Sequence, residues 1–462
     1  MNQQVYPSMS IADPHPPFTD KLQQGAAAVA LVGFLMLILS LTNKVEAGTL
    51  TWISLVFITM GTIVYGWRHY MPHPEGIKNN GVWFSTLTNR GLWGWLAGIV
   101  ITFFYVCLYW YPHLLGLSSD GTDNWGLVAF FDPISMAIKG KPSSQWFVYG
   151  VLYTLAILIF GVKFILKYRH NRYQVLRTIS VMFFQLCFAF MIPEILDGLN
   201  KPSMDLKNMW PLNYYFFFDW NLDKLVEGGN LGMFMLIWGI AMILIISPVL
   251  TYFYGKRWYC SWVCGCGGLA ETAGDPFRHL SDKSLKAWKI ERWLIHSVLV
   301  FAVIMTFLVL YTYITGQSQI LFLNSYNVRE WYGFLIGAAF SGVVGVGFYP
   351  LMGSRVWCRF GCPMAAILGL QQRFFSRFRI TTNGGQCISC GNCSTYCEMG
   401  IDVRAYAQRG QNIVRASCVG CGICAAVCPR GVLRLENGSV DIKQRTSEVR
   451  NIHVPLNEVG IL

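Results

Sequence analysis

Charge is scarce in this sequence. Of its 462 residues only 13% are Asp, Glu, Lys or Arg, while 54% are hydrophobic. Such a chain is a membrane protein with a smaller soluble part. The first 24 residues have no basic start and no small-residue cleavage pattern, and they carry Pro14, Pro16 and Pro17 in a polar stretch. Residues 1–24 therefore read as a retained, poorly ordered N-terminus and not as a removed signal peptide. A Ser–His–Asp set, a P-loop and a dinucleotide fingerprint in a supporting context are all missing. Gly342, Gly345 and Gly347 fall within an apolar run and read as close helix packing. Acidic residues are sparse in the apolar runs, which argues against an ion-coupled transporter. Glu194, the one carboxylate inside a run, fits a helix end at the interface or a proton acceptor for quinol. Six histidines (His69, His73, His113, His170, His279 and His296) lie near run ends and form no facing pair for haem.

Lys and Arg number 36 against 24 Asp and Glu, for a net charge of +12. The excess sits in short loops between apolar runs, so it speaks to membrane orientation and not to nucleic acid. Eight runs approach the roughly 20 residues needed to cross a bilayer core of about 30 Å. They are about Gly25–Leu41, Leu50–Trp67, Leu92–Tyr111, Trp146–Leu166, Ile179–Leu196, Leu231–Tyr252, Leu294–Thr315 and Trp331–Met352. Loops after the even-numbered runs collect Arg68, Lys78, Arg90, Lys167, Arg169, Arg172, Arg177, Lys256, Arg257 and Arg278, while the opposite loops hold Lys44, Lys139, Lys141, Lys201, Lys207, Lys224 and Arg329. The asymmetry puts both termini in the cytoplasm. The external loop 197–230 is dense in aromatics, from Trp210 through Tyr214, Tyr215, Phe216, Phe217 and Phe218 to Trp220. An interfacial belt is the expected role, with a docking surface or the mouth of a quinone site as the sharper alternatives.

Eight of the fifteen cysteines form a double cadence. Cys387, Cys390, Cys393 and Cys397 repeat the C-x2-C-x2-C-x3-C spacing of Cys418, Cys421, Cys424 and Cys428. That spacing is the bacterial two-cluster ferredoxin run, in which the fourth cysteine of each half ligates the other cluster. The expected sets are Cys387, Cys390, Cys393 with Cys428, and Cys418, Cys421, Cys424 with Cys397. Structural zinc and a disulfide framework are the alternatives, and eight thiols in this rhythm exceed what zinc uses. Pro429 follows the last cysteine, but Glu398 stands where the first half would carry proline.

A second repeat lies upstream. Gly255-Lys256-Arg257-Trp258-Tyr259-Cys260-Ser261-Trp262-Val263-Cys264 aligns with Gly353-Ser354-Arg355-Val356-Trp357-Cys358-Arg359-Phe360-Gly361-Cys362. Each copy follows an apolar run at its cytoplasmic end. Brought together, Cys260, Cys264, Cys358 and Cys362 would form a third metal centre, a pair of redox thiol sites for a soft metal such as copper, or merely buried small residues. Cys266 could replace Cys264, and Cys107 and Cys187 read as packing residues. Hydrocarbon about 30 Å thick is expected to separate these corners from the outer face, keeping their electrons on the cytoplasmic side.

With both repeats in view, residues 230–435 resemble a family of membrane-bound polyferredoxins. It includes the quinol-dehydrogenase subunit of periplasmic nitrate reduction, the membrane regulator of nitrous oxide reductase and a cytochrome oxidase copper-assembly factor. Cys362-Pro363 follows the family's C-x3-C-P corner, whereas Gly265 follows Cys264, and a flavin-attachment S-G-A-T is missing. The expected fold is a polytopic α-helical membrane domain (25–380, corners at 260–264 and 358–362), then a cytoplasmic α+β two-cluster ferredoxin domain (381–435) and a tail (436–462). The resemblance implies two [4Fe–4S] clusters and an electron-transfer subunit of the bacterial inner membrane, working with a quinone or a partner protein. Its other branch implies a factor that reduces or delivers copper for a respiratory metalloenzyme.

Overall fold

The computed structural model describes residues 20–39, 48–71, 89–118, 123–320 and 322–437. Among them, eight helices are long and apolar enough to cross a membrane: Lys21–Leu39, Thr49–Tyr70, Leu92–Trp110, Gln145–Lys167, Arg172–Gly198, Gly229–Tyr254, Leu285–Thr315 and Ser325–Gly347. Each overlaps one expected run. The first begins at Lys21, inside the stretch expected to be poorly ordered. The seventh begins at Leu285 and not at Leu294, because Ser284 Oγ accepts from the Ala287 amide (3.1 Å) and caps two polar turns ahead of the apolar ones. Residues 1–19 and the tail beyond 437, with Lys44, His73 and Lys78, lie outside the described residues.

Three spans are locally widened. The fifth, sixth and eighth carry π-helical stretches at Phe184–Met191, Met242–Ile246 and Gly333–Val344. Pro193 and Pro248 follow two of them, removing amide donors that a regular α-ladder would need. Such insertions recur at functional sites. Here all three surround the segment that carries the paired cysteines. The eighth span's glycines pack as expected: a Cβ on Gly342 would lie 2.6 Å from Tyr109, and one on Gly345 would lie 2.9 Å from Trp357.

The C-terminal unit is small and pseudo-symmetric. Strand Arg379–Thr382 pairs antiparallel with Leu433–Glu436, Ile380 facing Leu435. Between them, each cysteine loop ends in one helical turn, Asn392–Thr395 and Ile423–Ala426. Both turns open on a glycine in the left-handed region, Gly391 (φ 83°) and Gly422 (φ 75°), where only glycine sits without strain. This unit does not stand apart from the helices. One buried core contains Cys260, Cys264, Cys358 and Cys362 together with Cys393, Cys418 and Cys424, joined by Leu368, Phe378 and Ile380.

Candidate iron–sulfur sites

Two hollows lie inside the ferredoxin unit. One, about 360 Å³ of empty space, is lined by Cys387, Cys390, Cys393 and Cys428. The other, about 380 Å³, is lined by Cys397, Cys418, Cys421 and Cys424. Near-equal size and four thiols each suit two copies of one cluster. Cys428 lines the first hollow and Cys397 the second. Their surroundings differ sharply. Cys390 is exposed, whereas the 418–421 loop is gripped by the membrane domain through its backbone carbonyls. Gln372 Nε2 donates to Cys418 O (2.8 Å), Ser261 Oγ to Val419 O (2.9 Å), Tyr173 OH to Gly420 O (2.9 Å) and Gln174 Nε2 to Cys421 O (2.9 Å). Burial pushes the Cys421 thiol up to about 12, so it gives up its proton readily only to a metal.

The paired corners are a structural repeat as well as a sequence repeat. Gly255 (φ 66°, ψ −178°) and Gly353 (φ 93°, ψ 170°) end their helices in the same glycine-only conformation. The Cys264 amide donates to Tyr259 O at 2.8 Å, and the Cys362 amide to Trp357 O at 2.9 Å. Both cysteines then stand at the N-caps of helices, Gly265–Thr272 and Pro363–Phe375. The proline missing after Cys264 therefore does not change the corner. All four thiols are buried and converge in one core. Among the described residues, the donors close enough together for a single ion, within 4.8 Å, are Glu271, Glu398 and Cys421, and not the corner thiols. Cys266 packs against this core with its thiol hydrogen-bonded to that of Cys264, and together with Cys358 it lines a hollow walled by Tyr109, Tyr149, Tyr153 and Tyr349.

Depth is where the sequence expectation fails. A Cβ on Gly265 would meet Gln185 and Tyr153, and one on Gly268 would meet Val181 and Ile157. Gln185 is the fourteenth of the 27 residues from Arg172 to Gly198, about 20 Å from either end. The first corner thus folds back to mid-helix. Likewise Phe340, inside the eighth span, stacks near Trp357 of the second corner (6.2 Å between rings). The corners are not held a full hydrocarbon thickness from the opposite face. From that face the aromatic loop descends to meet them. Trp210 Nε1 donates to Thr306 Oγ1 (2.9 Å) and Trp238 Nε1 to Leu206 O (2.8 Å), both on the flanks of spans. Met209 shares the corner core. Tyr215 and Trp220 alone of the seven aromatics are exposed, and they stack at 5.7 Å. Of the other five, Phe216 and Phe218 are buried and Trp210, Tyr214 and Phe217 are half-buried.

A buried ion network sits between corners and ferredoxin unit. Arg355 Nη2 reaches Glu271 (2.5 Å), and its Nε reaches Glu398 (3.0 Å). Arg278 Nη1 takes the other Glu398 oxygen (2.7 Å) while its Nε binds Asp275 (2.8 Å). Lys163 and Lys167 close on Asp275, and Arg177 on Glu271. Burial opposes ionisation of Glu398, but Arg278 and Arg355 outweigh it and hold its carboxyl below the usual range. Lys256 is fully buried, its Nζ has no hydrogen-bond partner, and its charge acts on the Cys260 and Cys418 thiols. An ammonium in that position answers an anionic cluster better than neutral thiols. Several cations that counted toward orientation are therefore site charges. Glu271, Asp275 and Glu398 escaped sequence reasoning, although Glu398 at a proline position was a visible signal. Glu194 pairs with Lys139 (2.9 Å) and is no free acid. Cys107 is buried in a separate apolar core, as a packing residue.

Known families match the same segments. Residues 386–433 match the "4Fe-4S dicluster domain", and residues 234–284 and 334–381, one around each corner, match the "4Fe-4S binding domain". The chain is 26% identical over 172 residues to "Putative electron transport protein YccM" of Escherichia coli (strain K12), covering 35% of this chain and 47% of that protein. It is 27% identical over 166 residues to "Uncharacterized protein MJ0749" of Methanocaldococcus jannaschii, covering 34% and 58% respectively. The chain thus spans about half the length of the curated relatives it matches. No solved structure matches it. Both corners and the double cadence thus match 4Fe-4S domain families, in a chain with eight membrane-length helices among its described residues.

Proposed function

We propose that this protein is a membrane-bound electron carrier with three four-thiol centres in series. The first is Cys387, Cys390, Cys393 and Cys428, the second Cys397, Cys418, Cys421 and Cys424, and the third the corner set Cys260, Cys264, Cys358 and Cys362. [4Fe–4S] clusters held there would supply one-electron chemistry without any bond being made or broken. The protein's own residues set the order. Exposed Cys390 opens the first set to a soluble donor. Gln174, Tyr173, Ser261 and Gln372 seat the second set's loop against the corners. Lys256 and Arg355 supply positive charge beside the third. The observation that carries this reading is the single buried core that joins Cys393, Cys418 and Cys424 to all four corner cysteines.

Beyond the corners, Tyr109 lines both the inner tyrosine hollow and a larger one at the opposite face with Trp110, Trp146, Tyr214, Arg329 and Glu330. An aromatic-walled mouth of this kind suits a quinol or a partner protein that exchanges electrons with the third set. Anaerobically purified protein is expected to contain about twelve iron and about twelve sulfide, four of each per cluster. About eight would confine iron to the ferredoxin unit, and zinc in its place would sink the reading.

The Lys and Arg asymmetry supports a cytoplasmic ferredoxin unit in a bacterial inner membrane, with the mouth facing the periplasm. A reporter fused after Leu462 is then active only if it works in the cytoplasm, and one inserted near Lys201 only if it works outside. The reverse pattern inverts the proposed direction of donor and acceptor.

A further inference from the structure

The ferredoxin cadence carries Pro429 after its last cysteine but Glu398 after Cys397. Glu398 is fully buried. A buried carboxylate costs several kcal/mol unless it is paired with good geometry, so its position calls for a reason beyond closing a turn. Its partners supply one. Arg278 and Arg355 each take one of its oxygens (2.7 and 3.0 Å), and Ser281 Oγ donates to its carbonyl (2.7 Å). Arg355 spends its remaining donors on the corners: Nη1 lies 3.5 Å from Cys358 Sγ and 3.3 Å from Cys260 O, and Nη2 holds Glu271. One planar guanidinium therefore touches a thiol of the third set and a carboxylate covalently next to a thiol of the second. Only two non-covalent contacts separate Cys358 from Cys397.

The repeat makes this more specific. Arg257, which occupies the matching position in the first corner, does something else: it lies over the Phe378 ring (4.5 Å) and donates to Asn437 Oδ1 (2.8 Å). Of the two arginines, only Arg355 became buried between the centres. Arginine fits this task because its rigid fork fixes several acceptors at once and it stays charged.

We propose that Arg355 and Glu398 are positioning residues that couple the second ferredoxin set to the corner set, holding them in one register and in one shared charge environment. This rests on the corner set holding a cluster, as argued above. The pair neither binds iron nor carries the electron. It fixes the gap an electron crosses and biases the potentials on both sides of it. Loss of the negative charge at Glu398 favours the more reduced, more anionic state of both neighbours, so both potentials rise.

The test uses full-length protein purified anaerobically in detergent, with iron analysis and redox titration followed by electron paramagnetic resonance. Wild-type protein is examined first. If it shows no third cluster signal, the proposed function fails before any variant is made. Given that signal, Glu398→Gln is expected to keep wild-type iron, to shift the potentials of the second and third centres upward together, and to leave the first in place. Arg355→Lys keeps the charge but loses the fork, and is expected to weaken the magnetic interaction between the two centres with smaller shifts. A Glu398→Gln protein whose corner potential and spin interaction match wild type would overturn the proposal. So would a shift confined to the second set. Should Glu398→Gln fail to accumulate, Arg355→Lys decides alone: an unchanged spin interaction rejects the coupling.

Discussion

Replacing Cys358 by serine is expected to remove about four of roughly twelve irons and to abolish electron transfer between the ferredoxin unit and the membrane. Cys260→Ser should do the same. Combining the two should cost little more, because groups that act as one unit are strongly non-additive. The ground is geometric. Both corners leave their helices through the same glycine conformation and close with the same amide-to-carbonyl bond before the second cysteine caps a helix. Neither corner is a lesser copy, and all four thiols share one core. Cys107→Ser is the control. Its side chain lies in a separate apolar core, so iron content should stay at the wild-type value while Cys264→Ser loses the corner iron. Independent, additive losses in the Cys260 and Cys358 variants would mean two separate thiol sites. Retention of about twelve irons in Cys358→Ser would remove the third centre altogether.

Much of this was legible in the chain, for physical reasons that differ by feature. The spans could be read because lipid demands a run of apolar residues and little else disguises it. The cysteine cadence could be read because cubane ligation imposes spacing on a short loop, and each hollow is lined by four of its cysteines. What hydropathy cannot report is depth. The segment from Gly265 to Thr272 is short, glycine-rich and ends in Glu271 and Thr272, so it reads as a connector. Its first residues fold back to mid-helix, and Arg177 and Arg355 neutralise Glu271 at its far end, nearer the start of the fifth span. The 199–218 loop misled in the same way. Asp205, Lys207, Asn208 and Asn213 look like solvent-facing residues. Lys207 instead pairs with Asp205 (2.8 Å) and both travel inward with Met209 and Trp210. Irregular backbone is tolerated at such depth when protein covers it. Polar residues that satisfy one another inside the bundle leave no trace in a one-dimensional hydropathy reading.

The second large effect is expected from an asymmetry between two cysteines that the spacing alone treats as equals. Cys390 and Cys421 are each the second thiol of their half. Cys390 is exposed, and its hollow is lined by residues 387–433 alone. Cys421 lies in the loop whose four successive carbonyls are held by Gln372, Ser261, Tyr173 and Gln174, and its Sγ lies within 4.8 Å of the Glu271 and Glu398 carboxylates. Cys390→Ser should therefore lose about four irons, accumulate normally, and keep a corner centre that responds to a reductant added from the membrane side. Cys421→Ser should lose about eight. Without its cluster the 418–421 loop loses the anchor that aligns it, and Arg278, Arg355 and Glu398 are left imperfectly paired in a dry interface. Breaking a buried pair of that kind costs about 3–5 kcal/mol, enough to loosen Arg355 from Cys358 and with it the corner set. The measurement is iron per chain together with thermal unfolding in detergent for both variants. Equal iron loss and equal stability in the two would mean that the second set is no more tied to the membrane domain than the first, and that the order of centres proposed here is wrong.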